Sequence, residues 1–172
     1  DQADTFLGNL DKLDEFEELA TDFGNDPTKM ATVFANPDKA EELKRLNDQF
    51  GDQADTFLGN LDKLDEFEEL ATDFGGDPTK MATVFANPDK AEELKRLNDQ
   101  FGDQADTFLG NLDKLDEFEE LATDFGNDPT KMATVFANPD KAEELKRLND
   151  QFGDQADTFL GNLDKLDEFE EL

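Results

Sequence analysis

The chain is 172 residues long, with 46 acidic and 16 basic residues, a net charge of −30, and no His, Cys, Trp or Tyr. That charge excludes nucleic acid and anionic membranes as partners, since both need a basic footprint. The missing residue types, Ser among them, remove thiolate and imidazole metal ligands and every common nucleophile except Thr and Lys, so no enzyme is expected.

The sequence repeats. The block Asp1–Gly51 restarts at Asp52, Asp103 and Asp154, and the last copy stops after 19 residues at Leu172. One position differs among the full copies: Asn25 and Asn127 correspond to Gly76. The expected architecture is all-α, a tandem-repeat α-solenoid of 51-residue units, each contacting mainly its neighbours. Its units are residues 1–51, 52–102 and 103–153, with a capping partial copy over 154–172. Starting at Asp and ending inside a copy, the chain reads as a piece of a longer repetitive protein. Five regularly spaced Phe per copy argue for a folded chain despite the charge.

Within the first copy, apolar spacings of three and four predict helices, and Val33 is the sole β-branched aliphatic residue. The first helix is expected from about Asp1, its N-cap, to Phe23, with Gly24 just past its end. Its apolar residues include Phe6, Leu7, Leu10, Leu13, Phe16, Leu19 and Phe23, an arc broad enough to pack against neighbours on two sides. Gly8 and Asn9 mark a close approach or a kink. The second helix opens at Asp26 with Pro27 in the first turn, and ends at Asn36. The third takes Asn36 as N-cap and Pro37 as its first residue, lines one face with Ala40, Leu43, Leu46 and Phe50, and stops at Gly51. Glu41 and Arg45 form an i,i+4 pair on it. About three helices per unit follow. The alternative is one very long helix through Gly51, from Pro37 to Phe74, plus one short helix.

The acids concentrate in the first segment, where eight stand against the single base Lys12. Asp11, Glu15 and Glu18 share a face, and Asp14, Asp22 and Asp26 lie near it. These six and their equivalents in later copies are the only candidate metal ligands, with calcium as the candidate ion, since calcium takes six to eight oxygen ligands. The turn around them lacks the calcium-loop pattern. The bland reading is a solvated acidic face partly paired with Lys39, Lys44 or Arg45. Asp22-Phe23-Gly24 spells a kinase motif with none of the surrounding kinase elements, so it is read as a helix end. No catalytic or cofactor-binding residue is assigned.

Three functions are compatible with these features. The first is a structural spacer or stalk, self-associating head to tail into fibres. The second is a calcium-responsive or basic-peptide-binding scaffold, and the third an engineered consensus array. Partners are thus other copies of the chain, cations or basic peptides. Location is left open, with an extracellular or cell-surface setting favoured.

Overall fold

The computed structural model describes residues 2–153 and 155–171. The cap expected at Asp1, the restart at Asp154 and the terminal Leu172 lie outside the described residues. Among the described residues all regular structure is helical, and the chain divides into two compact units, residues 1–91 and 92–172.

In the first unit the long first helix is broken in two. Helix α1 covers Gln2–Gly8, a 3-10 turn covers Leu10–Lys12, and α2 covers Leu13–Asp22. Asn9 makes the break. A continuing helix would pair the Asn9 N–H with the Thr5 carbonyl. Instead that N–H donates to the Phe6 carbonyl at 3.2 Å, and the side-chain Nδ2 donates to the Thr5 carbonyl at 2.8 Å. The side chain thereby takes over the backbone's partner, which is how Asn competes with helix.

The same device recurs at Asn36. Helix α3, Pro27–Ala35, ends where Asn36 donates from Nδ2 to the Thr32 carbonyl at 2.9 Å. A 3-10 turn over Pro37–Lys39 follows, then α4 over Ala40–Phe50. Two expectations are corrected here. Asn36 closes the preceding helix and gives no side-chain cap to the next. The first copy carries four α-helices rather than three, because Asn9 and Asn36 act alike.

The reason is visible once the two breaks are aligned. Thr5-Phe6-Leu7-Gly8-Asn9-Leu10-Asp11-Lys12 and Thr32-Val33-Phe34-Ala35-Asn36-Pro37-Asp38-Lys39 are two versions of one segment, and each continues to Phe-Gly, at Phe23-Gly24 and Phe50-Gly51. Each copy is therefore two related halves, a short helix, an Asn break and a longer helix.

The other boundaries fall where the residues place them. Asp26 Oδ1 accepts from the N–H groups of Thr28 at 2.8 Å and Lys29 at 3.3 Å, capping α3. Helix α2 closes with the Asn25 N–H on the Ala20 carbonyl and the Gly24 N–H on the Thr21 carbonyl, a left-handed ending with Gly24 at φ 64°. Helix α4 stops at Phe50, whose φ of −132° and ψ of 36° are not helical. The single helix from Pro37 to Phe74 is thereby excluded. A further 3-10 turn, Gly51–Gln53, leads to α5, Ala54–Gly59. Asn60 breaks the chain again before α6, Leu64–Asp73, and α7 covers Pro78–Ala86. Helix α4 packs between α2 and α6, with Leu43, Leu46, Leu64, Phe67 and Leu70 at 0–1% exposure between them.

Helix α8, Ala91–Phe101, carries the boundary between the units. The second unit continues with α9, Ala105–Leu109, α10, Leu115–Asp124, and α11, Pro129–Ala137. It ends with α12, Ala142–Phe152, α13, Ala156–Leu160, and α14, Leu166–Glu170. Here α12 packs between α10 and α14. Leu115, Phe118, Leu121, Leu145 and Leu148 are buried, each fully buried apolar side chain contributing about 1.5–3 kcal/mol.

Candidate functional site

Ion pairs tie neighbouring longer helices together. Arg45 on α4 forks onto Glu68 on α6, Nε to Oε1 at 2.6 Å and Nη2 to Oε2 at 3.0 Å, while Nη1 holds Glu41 at 2.8 Å. In the second unit Arg96 forks onto Glu119 at 2.6 and 3.0 Å, and Arg147 onto Glu170 at 2.9 and 3.3 Å. Lys44 reaches back to Glu18 on α2 at 3.0 Å, and Lys146 to Glu120 on α10 at 3.0 Å. The half-repeat explains this pattern. Glu17 and Glu18 on α2 occupy the places that Lys44 and Arg45 occupy on α4, so at these two positions successive longer helices present opposite charge.

These contacts hold the cations in their charged form. The Lys44 ammonium is raised above its ordinary 10.5, first by Asp48 and then by Glu18. Glu42 does the same for Lys39, and Asp150 for Lys146. The Glu68 carboxylate likewise raises the Arg45 guanidinium.

The six candidate metal ligands divide. Asp14, Glu18 and Asp22 line one shallow groove together with Glu17, Thr21 and Lys44. Asp11, Glu15 and Asp26 do not line it. Asp26 is engaged as the cap of α3, and Asp11 is exposed. Glu15 is half-buried, its Oε2 shielded from solvent without a hydrogen-bond partner, as are Glu66 Oε2 and Glu117 Oε2. Within the groove Asp22 Oδ2 already accepts from Nδ2 of Asn47, 6% exposed, at 3.0 Å, and Glu18 already holds Lys44. Among the described residues no three carboxylates converge as a metal site would require. The cationic side chain that lines the groove is Lys44. The same contacts appear in the second unit, where Asn149 Nδ2 meets Asp124 Oδ2 at 2.9 Å.

A second feature is aromatic. Phe85 on α7 is 4% exposed and receives three rings edge-on: Phe50, Phe57 and Phe67, with centroids at 5.1, 5.1 and 5.3 Å. Phe136 on α11 sits identically among Phe101, Phe108 and Phe118 at 5.2, 5.1 and 5.4 Å. Such tilted pairs add about 0.5–1.5 kcal/mol beyond burial. Among the described residues Phe34 meets Phe6 and Phe16, at 5.0 and 5.3 Å. Phe152, Phe159 and Phe169 form the three-ring wall of a groove with Gln151 and Gln155, and Phe152 is 47% exposed. Near the start of the chain Leu7, Leu10 and Leu13 are 70%, 63% and 38% exposed, whereas Leu64 and Leu166, equivalent to Leu13, are fully buried.

Sequence reasoning did not separate the two halves of each copy, and so missed both the alternation of charge and the aromatic sockets. The signal was present in the recurrence of Thr-x-x-x-Asn-x-Asp-Lys at Thr5 and Thr32.

Comparisons with protein families, with curated proteins and with solved structures give no match. The fold and these two surfaces define an all-helical protein. No helix among the described residues is long and apolar enough to cross a membrane.

Proposed function

We propose that the chain is a non-enzymatic structural scaffold: a tandem-repeat α-solenoid of 51-residue units serving as a spacer or stalk segment, able to associate head to tail. The observation that carries this reading is the reuse of one junction. The guanidinium fork of Arg45 on Glu68 reappears, atom for atom, in Arg96 on Glu119 and Arg147 on Glu170. The aromatic sockets of Phe85 and Phe136 repeat with centroid distances that agree within 0.1 Å. A junction applied again and again advances the chain by one rise and one rotation per copy, so length is what each added copy contributes.

Recurrence also bears on chemistry. Catalytic sites seldom recur identically along a chain, whereas the acidic groove is built from residues present in every full copy.

The test is small-angle scattering on arrays of increasing copy number. Maximum dimension should grow linearly with the number of copies. Growth as the cube root of mass, the behaviour of a compacting globule, would overturn the spacer reading.

A further inference from the structure

We propose that Asn25 and Asn127 are sites of spontaneous deamidation, where the fold leaves the asparagine amide open to the backbone nitrogen of the following residue, and that Gly76 spares the middle copy.

The reaction needs an accessible side-chain Cγ and, beside it, a backbone N–H free to attack. The chain has twelve asparagines, and ten of them lack one or the other. Asn36, Asn87 and Asn138 precede Pro, whose nitrogen carries no hydrogen to give up. Each also donates from Nδ2 to the Thr carbonyl four residues back, at 2.9 Å. Asn9, Asn60, Asn111 and Asn162 make the same bond at 2.8 Å, and the bulky Leu that follows each crowds the nitrogen. Asn47, Asn98 and Asn149 precede Asp, as Asn25 and Asn127 do. They lie within α4, α8 and α12 and are only 6–7% exposed. There the following nitrogen cannot turn toward the side chain without unwinding a helix.

Asn25 and Asn127 differ on each count. Both are exposed, and neither side chain makes a hydrogen bond among the described residues. Both sit in the left-handed turn between helices, at φ 56° and 58°. The nitrogen beside each is loosely held. The Asp26 N–H reaches the Phe23 carbonyl at 3.2 Å, longer than the Asn25 and Gly24 bonds of the same turn at 2.6 and 3.0 Å. The Asp128 N–H reaches the Phe125 carbonyl at 3.3 Å.

In the reaction the Asp26 nitrogen gives its proton to hydroxide and bonds to Cγ of Asn25. The Cγ–Nδ2 bond breaks, Nδ2 leaves as ammonia, and a succinimide ring remains. Water opens the ring at either carbonyl, to aspartate or, with the main chain rerouted through Cγ, to isoaspartate. One water enters and one ammonia leaves, with no oxidant or reductant. Either product adds negative charge just past the C-terminal end of α2, where the helix dipole disfavours it and Asp22 already stands. Isoaspartate also inserts a methylene into the backbone directly before Asp26, the cap of α3. In the middle copy the turn holds Gly76 at φ 69°, which has no side-chain amide to lose.

The test is intact-mass measurement and peptide mapping of the full folded chain held at mildly alkaline pH and physiological temperature. Mass should rise by about one dalton per event and level off after two events. Aspartate and isoaspartate should both appear at positions 25 and 127, with the other asparagines unchanged over that period. The double variant Asn25→Gly/Asn127→Gly gives both turns the residue already present at Gly76. It should melt as the unmodified chain does and keep its starting mass. In guanidinium, Asn47, Asn98 and Asn149 should react as fast as Asn25 and Asn127, since all five precede Asp and only the fold separates them. No mass gain in the folded chain, reaction at Asn9 or Asn47 ahead of Asn25, or an undiminished gain in the double variant overturns the proposal. Continued protection of Asn47 in the unfolded chain also overturns it, since the fold would then not be what selects the sites.

Discussion

Asn25, Gly76 and Asn127 occupy one turn position with φ of 56°, 69° and 58°. Asn and Gly are the residues that reach this left-handed region at least cost, so the one variable site in the repeat exchanges two residues that meet the same backbone demand. Asn127→Gly is expected to leave the urea midpoint unchanged, and Asn127→Ala to lower stability by about 1 kcal/mol. Asp77→Ala removes the cap that serves the Thr79 and Lys80 N–H groups and should cost about 1 kcal/mol by the same measurement. Glu66→Met replaces a carboxylate with an unpartnered, solvent-shielded Oε2 by an apolar side chain of similar length, and should gain about 1 kcal/mol. The roles of Gly24 and Asp26 were legible in the sequence because each acts on the backbone beside it. That of Asn36 was not, because Asn serves equally to open a helix or to close one. Its choice depends on the Thr32 carbonyl that its Nδ2 reaches.

Helices in this chain are bounded by side-chain chemistry and joined by charge and aromatic packing. Phe85→Ala should cost about 3–5 kcal/mol, since it leaves a cavity among three rings. Phe34→Ala should cost less, because that ring is half-buried between two. Lys39, Lys44 and Lys146 are held above the ordinary 10.5 by Glu42, Asp48 and Asp150. An ammonium with a raised folded value binds its proton more tightly folded than unfolded. Its contribution is complete below the unfolded value and disappears as pH climbs through the folded one. The melting temperature should therefore hold steady from about pH 8 to about pH 10 and fall above that. The α2, α3 and α4 faces could be read from apolar spacing. The pairing of Glu18 on α2 with Lys44 on α4 could not, because sequence distance does not say which helices become neighbours.

At the scale of the whole molecule the acidic excess stays on the surface and part of it is already neutralised from within. Glu18 holds Lys44, and Asp22 accepts from Asn47. Millimolar calcium is therefore expected to raise the melting temperature no more than sodium at matched ionic strength, as circular dichroism would show. A calcium-specific gain would give the groove of Asp14, Glu17, Glu18 and Asp22 a role as a folding switch. The repeated junction has a further consequence, for the unfolded chain. A refolding α4 carries an Arg45 that fits Glu68 and Glu119 alike, because the surroundings of both are the same sequence. Skipping a copy lengthens the loop to be closed about threefold, at a cost of only about 1 kcal/mol. Early pairing is then nearly degenerate: the chain can splice its first copy onto its third and strand the second as an unpaired loop. Correct order would have to be restored by breaking a junction that is locally native in every contact. Refolding from denaturant should accordingly show a slow population absent from a single-junction chain, whereas synthesis from one end, which presents the copies one at a time, avoids the ambiguity.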